Sequence, residues 1–474
     1  MYRASVATRR AVLTDDTDGT DDRYASHVRA VAALRASYEQ IPPGATVRLA
    51  KQTSNLFRFG PKEAQPGLDV SGLDQVLNVD PVARTADVQG MVTYERLVDA
   101  TLAHGLMPLV VPQLKTITLG GAVAGLGIES SSFRNGLPHE SVLEMEILTG
   151  DGQVVLAAPD NDHADLFRGF PNSYGTLGYA VRLKIELEPV RPYVRLRHLR
   201  FGTAEACLTE MNRICDDATY EGKQVDFVDG TVFGPEEQYI TLGTFVDEAP
   251  EVSDYTGMSV YYRSVQKREV DYLTVRDYLW RWDTDWFWCS RAFGVQQPWV
   301  RRLWPARYRR SDVYRKLVAF DRRHGLTARI NRLLGRPQEE AVVQDVEIPV
   351  GETAKFLDVF HRDIRIEPIW LCPLRLRAAQ SWPLYPLEPN ELYVNVGFWS
   401  SVPLRPGQAD GYHNRLIEET VNALGGHKSL YSTVHYSAEE FWRLYNGQAY
   451  DGVKQAYDPA GRLPDLYRKC VRVG

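Results

Sequence analysis

Along this chain, apolar and polar positions change period often. Short strands and short helices alternate, and no fixed repeat runs through the sequence. Residues 26–40 carry apolar positions at helical spacing and stop at Pro42-Pro43-Gly44, which predicts an amphipathic helix. Residues 46–58 predict a strand running into a polar turn. Residues 76–90 predict a β-hairpin turning at Asp80-Pro81. A helix should follow, with Thr93 as its N-cap, Glu95 in its first turn, Leu97, Val98, Ala100, Leu102 and Ala103 as its apolar positions, and Gly105 at its end. Strand 107–112 then leads into a glycine-rich stretch. Beyond it lie two strands over 142–156 joined at Thr149-Gly150-Asp151-Gly152, a short helix at 164–170, a second Gly-rich turn at 172–178 and a strand at 179–188.

The prolines of 189–194 mark a boundary. After it the pattern predicts a helix over 203–218, with Ala204, Cys207, Leu208, Met211 and Ile214 on one face, and strands at 224–233, 238–246 and 258–264. The chain therefore divides into a solvated, mobile, aspartate-rich arm (1–25), an α+β domain (26–192), a second mixed α/β domain (193–425) and a C-terminal segment (426–474) that packs back on the first domain.

Composition narrows the function. The 474 residues are 44% hydrophobic and 24% charged, ordinary for a globular protein. A net charge of −6 argues against general nucleic-acid affinity. Only 11 of the 55 basic residues are lysine, a bias that fits genome composition better than a binding signal. The five cysteines (Cys207, Cys215, Cys289, Cys372, Cys470) are odd in number and form no C-x-x-C pair, so neither a zinc site nor a disulfide framework is expected, and a reducing cytoplasm fits. No 18-residue apolar run appears, and the first residues lack the apolar core of a signal peptide.

The candidate chemistry centres on 112–136, P-Q-L-K-T-I-T-L-G-G-A-V-A-G-L-G-I-E-S-S-S-F-R-N-G. Gly120, Gly121, Gly125, Gly127 and Gly136 would let the backbone approach a ligand, and hydroxyls and bare amides would offer donors to a pyrophosphate. The Rossmann fingerprint is absent. A second polar cluster, Arg48, Lys51, Thr53, Ser54, Asn55 and Arg58, reads either as a first phosphate loop or as a charged surface turn.

Thr118-Leu119-Gly120-Gly121, followed by Gly125-x-Gly127-Ile128-Glu129-Ser130-Ser131-Ser132, resembles the FAD-binding domain of vanillyl-alcohol-oxidase (PCMH) type flavoproteins, and more narrowly the Δ24-sterol reductase branch. The resemblance resumes at Leu273–Tyr278, Val343–Val350, Pro368–Leu374 and Glu391–Gly397, and again at Tyr436–Trp442, Asn446–Tyr450 and Pro464–Cys470. It implies a two-subdomain FAD-binding domain under a cap domain that binds substrate. Animal and plant sterol reductases begin with a membrane-spanning segment, which this chain lacks.

By this resemblance, FAD contacts fall at Lys51, Thr53, Ser54, Asn55, Thr118, Leu119, Gly120, Gly121, Gly125, Gly127, Ile128, Ser130, Ser131, Gly136, Val142, Thr176 and Gly178. Many relatives bind flavin covalently through a histidine near the first loop. That loop has no His here, and 112–136 has neither His nor Cys, so the FAD is expected to be non-covalent. The implied reaction reduces an unactivated C=C bond, with NADPH as electron source.

An isolated alkene has no carbonyl to accept negative charge, so hydride delivery must be coupled to protonation by a positioned acid. Candidates on the family-matching blocks are Glu129, Tyr393, Tyr431 and Tyr436. Related actinobacterial proteins are associated with methyl-branched fatty acid synthesis, which favours a methylene-branched acyl substrate over a sterol side chain. Two other readings stand beside this one: an oxidase or dehydrogenase of alcohols or sugar lactones, and a non-enzymatic lipid-binding protein.

Segment 276–310 holds six of the ten tryptophans and eight arginines, which suits either a packed aromatic region or contact with an anionic membrane. The expected place is the cytoplasm, peripheral at the inner face of the plasma membrane. The sequence assigns no oligomeric state.

Overall fold

The computed structural model describes residues 17–51, 57–58 and 67–471. It is α+β, as expected, with two large antiparallel sheets. The first sheet contains β1 (Val76–Asp80), β2 (Thr85–Gln89), β3 (Leu106–Pro108), β4 (Val142–Leu148), β5 (Val154–Ala157) and β6 (Tyr179–Pro189). Their order is β1-β2-β6-β4-β5, with β3 also paired to β6. β6 is central, and Val181, Leu183, Ile185 and Leu187 along it are buried.

The expected hairpin turns where predicted, with Asp80 Oδ1 accepting from the amides of Val82 and Ala83 at 2.9 Å. The helix Tyr94–Leu102 is capped by Thr93, whose side chain accepts from Arg96 N at 3.4 Å, an interaction worth about 1 kcal/mol in such positions. It buries Leu97, Val98 and Thr101 against the sheet.

Two expectations need correction. Residues 17–25 are not an arm. They form the first turns of a helix spanning Thr17–Glu39. His27 ties that helix to the sheet, with Nε2 3.0 Å from Glu146 Oε2 and Nδ1 3.1 Å from Gln89 Nε2. Nor is 258–264 a strand. Residues Tyr261–Val265 form a short helix that sends Tyr261 and Tyr262 into the core, and the strand comes later, at Val270–Thr274.

The second sheet begins at β7 (Tyr193–Phe201), four residues after β6 ends. After a small hairpin, β8 (Thr219–Tyr220) and β9 (Lys223–Gln224), it continues through β10 (Phe227–Gly234), β11 (Glu237–Val246), β12 (Val270–Thr274), β13 (Glu339–Pro349), β14 (Ile369–Leu374), β15 (Tyr393–Pro403) and β16 (His427–Lys428). The order is β12-β7-β11-β10-β14-β15-β13-β16. One face is covered by the helices Ala204–Asp217, Val350–Asp363 and Tyr412–Ala423, whose buried Met211, Phe356, Phe360 and Val421 share a core with Val228, Val346 and Val396. The other face looks toward the first domain.

The C-terminal segment contacts the first domain. Val47 N donates to Arg462 O at 2.8 Å, Lys454 Nζ to Thr176 O at 2.7 Å and Lys469 Nζ to Tyr174 O at 2.6 Å. Among the described residues, no helix is long and apolar enough to cross a membrane.

Candidate active site

A cavity of about 420 Å³ opens between the two sheets. Its floor comes from the first domain. The glycine-rich stretch forms a short helix, Leu119–Gly125, capped by Thr118 and followed by an extended turn. Of the expected cofactor contacts, Lys51, Thr118, Gly120, Gly121, Gly125, Gly127, Ile128 and Gly178 line the cavity. Thr53, Ser54 and Asn55 lie outside the described residues.

The other expected contacts lie elsewhere, each for a visible reason. Leu119 and Val142 are core residues. Ser130 Oγ donates to Glu129 Oε1 at 2.6 Å and lies 2.8 Å from Tyr278 OH, and Ser131 Oγ donates to Leu109 O at 2.8 Å. Gly136 takes φ +68° beside Glu140, and Thr176 turns its hydroxyl onto Ser173 O.

The idea of bare amides also changes. The N–H groups of Leu119 and Gly120 donate to Val92 O and Gly90 O, and that of Gly121 to Thr118 Oγ1. The glycines serve close approach instead. A Cβ on Gly121 would stand 2.8 Å from Thr118 Oγ1 and 3.1 Å from Lys51 Nζ, and one on Gly125 2.9 Å from the Tyr174 ring. Lys51 Nζ, 2.9 Å from Thr118 Oγ1, brings the positive charge that a pyrophosphate requires. A narrow glycine floor with an ammonium beside it fits a dinucleotide cofactor. Gly121→Val should therefore give a protein with unchanged far-UV circular dichroism and a flavin content reduced at least about tenfold; a folded variant with full flavin would remove Gly121 from the site.

The opposite wall is aromatic and comes from the second domain. Phe287 lies 4.3 Å from Trp399 and 5.4 Å from Trp370, ring centre to ring centre, and Trp286 stacks on Phe57 at 5.8 Å. Half of the Trp/Arg segment is thus core. Trp280, Trp282, Trp286 and Trp288 are buried, and so are three arginines. Arg301 makes a two-pronged pair with Asp285 at 2.7 and 3.1 Å, and Arg309 donates to the carbonyls of Thr256 and Gly257. Arg310 pairs with Glu95 at 2.8 Å. Arg301 and Arg309 are thus committed to the fold, which fits the packed-region alternative for this part of the segment. Neutralising an ion pair such as Arg301–Asp285 would unsettle the fold instead.

Of the four candidate acids, only Tyr431 lines the cavity. Glu129 is buried and held by Arg281 Nη2 at 3.1 Å, which also reaches Asp229 Oδ2 at 2.7 Å. Burial pushes the Glu129 carboxyl up and Arg281 opposes the rise. It latches the glycine-rich stretch to the second domain. Tyr393 OH accepts from Glu388 N at 3.2 Å, and Tyr436 packs beside Tyr445; neither lines the cavity.

The group that the sequence reading missed is Asp345. It sits on β13, opposite Gly397 on β15, and faces the cavity. Gly397 leaves it room, since a Cβ there would collide with Asp345 Oδ1. Burial pushes its pKa up to about 7, while hydrogen bonds from Asn395 and Tyr431 oppose the rise. Asn395 Nδ2 donates to Oδ1 at 3.1 Å, and Trp399 Nε1 donates to Tyr431 OH at 3.0 Å. Glu347, two positions along β13, is pushed up to about 8, again mainly by burial. Burial also holds the Tyr431 phenol well above its usual range, which makes it the poorer acid. The signal was present in V-V-Q-D-V-E-I, but an acidic residue in an alternating strand reads as solvent-facing unless the strand is central.

The sequence is similar to known flavoproteins. Residues 29–157 match the profile of the family described as FAD binding domain. The chain is 28% identical over 417 residues to the human Δ24-sterol reductase, spanning 84% of this chain and 77% of that protein. It is 26% identical over 456 residues to a Δ24-sterol reductase homolog of Caenorhabditis elegans (88% and 81%) and 26% over 447 residues to the Arabidopsis thaliana Δ24-sterol reductase (85% and 76%). Fold, glycine floor and matches together define an FAD-dependent oxidoreductase with a PCMH-type FAD-binding domain. Within that class the chain is similar, over most of its length, to Δ24-sterol reductases.

Proposed function

We propose that the protein reduces an unactivated C=C bond in a lipid, using a non-covalent FAD recharged by NADPH, and that the favoured substrate is a methylene-branched fatty acyl chain, with a trisubstituted sterol side chain as the second choice. The observation that carries this reading is the placement of one carboxyl group, Asp345, on the aromatic wall of the cavity that faces the glycine floor, where burial raises its pKa to about 7.

Bound reduced FAD would supply the hydride. The chain's own residues do the rest. Asp345 donates its proton to the less substituted alkene carbon, leaving a tertiary cation. Trp286, Phe287, Trp370 and Trp399 turn π faces and edges into the cavity, exclude water and stabilise positive charge. Tyr431 and Asn395 orient the carboxyl, and Glu347 keeps a second proton on the same strand. Among the described residues lining the cavity there is no histidine or cysteine, which supports a dissociable flavin.

The test is anaerobic incubation with NADPH and total lipid extract, followed by mass spectrometry. Lipid ions heavier by two hydrogens are expected, and acid precipitation should leave all yellow colour in the supernatant. In a parallel incubation under air without NADPH, alcohol-dependent reduction of dioxygen to hydrogen peroxide would overturn the reading in favour of an oxidase.

A further inference from the structure

Beyond the cavity, the chain carries an apolar surface that no other part of the described structure covers. The helix Ser311–His324 buries one side: Tyr314 and Val318 pack with Trp286, Val295 and Phe57, next to the aromatic wall. The adjoining stripe, Leu317 and Phe320, is exposed. The described side chains of the following helix, Leu326–Leu333, are nearly all exposed. Leu326, Ile330, Leu333 and Leu334 fall at i, i+4, i+7 and i+8, on one face, and are 44%, 54%, 87% and 60% exposed. Arg329, Arg332 and Arg336 run along the flank of that face, all exposed. Trp299 and Leu303, on the preceding short helix, are also exposed, at 70% and 76%.

Charge selects the occupant. Residues 311–336 hold seven arginines and lysines against two aspartates, a net of +5 in a chain whose net charge is −6. Arg302 and Arg307 add exposed positive charge beside Leu303. An apolar face of this size flanked by arginine, on a helix too short and too charged to span a bilayer, matches an interfacial helix that lies in the headgroup region. A neutral protein partner would not require the arginines, and a second copy of this helix pair would bring like charges together.

We infer that the helix pair 311–333 is the surface by which the protein rests on an anionic lipid bilayer. The inference builds on the lipid reading of the cavity and gives that lipid a route. The side of Ser311–His324 opposite the bilayer packs on Phe57 and Trp286, two residues of the cavity wall, so a chain lifted from the membrane enters beside this helix. The contact surface thus lies C-terminal to the Trp-rich part of 276–310, whose buried half builds the cavity.

The test uses the flavin-loaded protein and needs no substrate. Flotation with vesicles of phosphatidylcholine and phosphatidylglycerol in equal parts should carry the protein upward, and pure phosphatidylcholine vesicles should carry far less. Binding should weaken when salt rises from 0.1 to 0.5 M, because screening shortens to within a few ångströms. Arg329→Glu with Arg332→Glu and Arg336→Glu should lower the partition coefficient at least about tenfold. Ile330→Asp with Leu333→Asp should do the same on both vesicle types. All five positions are exposed, so flavin content and circular dichroism should stay at parental values.

If the parent ignores anionic vesicles, or the charge-reversed variant floats as well as the parent, the surface is not a membrane face. If instead the parent forms dimers that the two aspartates abolish, a second copy is the occupant and the inference falls. A protein that floats normally but reduces no lipid would count against the proposed reaction and leave this surface standing.

Discussion

Asp345→Asn should slow reoxidation of the reduced flavin by a methylene-branched acyl lipid by about 10²–10⁴-fold, the usual contribution of a positioned general acid. The amide keeps the size of the carboxyl and its place between Asn395 and Tyr431, so flavin content should not change. Stopped-flow loss of the reduced-flavin spectrum, in a single turnover, isolates this step from electron delivery. The pH dependence has a definite sign. The carboxyl is raised to about 7, so its acid form is lost as pH rises through that value, and the parental single-turnover rate should fall there. The Asn variant should show no inflection near 7. A variant that keeps the parental rate, or an unchanged profile, would take the proton donor away from Asp345. Tyr431→Phe should be milder, because it removes a hydrogen bond to the acid while leaving the acid in place.

The second large effect concerns stability. Arg281→Met should destabilise the protein by about 3–5 kcal/mol, read from denaturant unfolding, because it strands two buried carboxylates. Arg281 is the shared partner of Glu129 and Asp229, and its guanidinium lies 4.0 Å over the Tyr278 ring. Trp282 and Trp370 send their indole N–H groups to the same Asp229 oxygen at 3.4 Å. Glu129 already has a raised pKa from burial. A carboxyl raised in the folded state binds protons that the unfolded chain has released, so its penalty grows as pH rises. The variant's deficit should accordingly shrink on moving from pH 8 to pH 5. Unfolding midpoints equal to the parent's at both pH values would show that the cluster contributes nothing net.

How far the sequence could be read depended on the range of the interactions. The hairpin at Val76–Gln89, the helix capped by Thr93 and the helix Ala204–Asp217 are set by contacts local in sequence, and each was legible. The glycine floor was located by its composition, but its amides were assigned wrongly. Their acceptors, Val92 O and Gly90 O, lie some thirty residues upstream and leave no local trace. The Trp/Arg segment was ambiguous for the same reason, since Arg281 is answered by Glu129 and Asp229, more than fifty residues away. Asp345 was quoted within a matching block and passed over as an acid. Its protonation depends on the strands and rings that enclose β13, which a periodicity cannot report. Leu326–Leu333 shows the same limit, since periodicity alone assigns a helical apolar stripe to the core and the structure leaves this one exposed.

The return of the C-terminal segment bears on how the first domain closes. Lys469 lines the cavity and donates to Tyr174 O, Lys454 holds Thr176 O, and Arg462 O accepts from Val47 N. Segments at great distance in sequence therefore meet on one wall, and closing so long a loop costs conformational entropy that short-range turns do not. Local pieces such as the hairpin Val76–Gln89 can form before that closure, whereas the tether on the second Gly-rich turn cannot. The cavity is thus a product of the slowest class of contact in the fold, and its integrity reports on the whole chain at once.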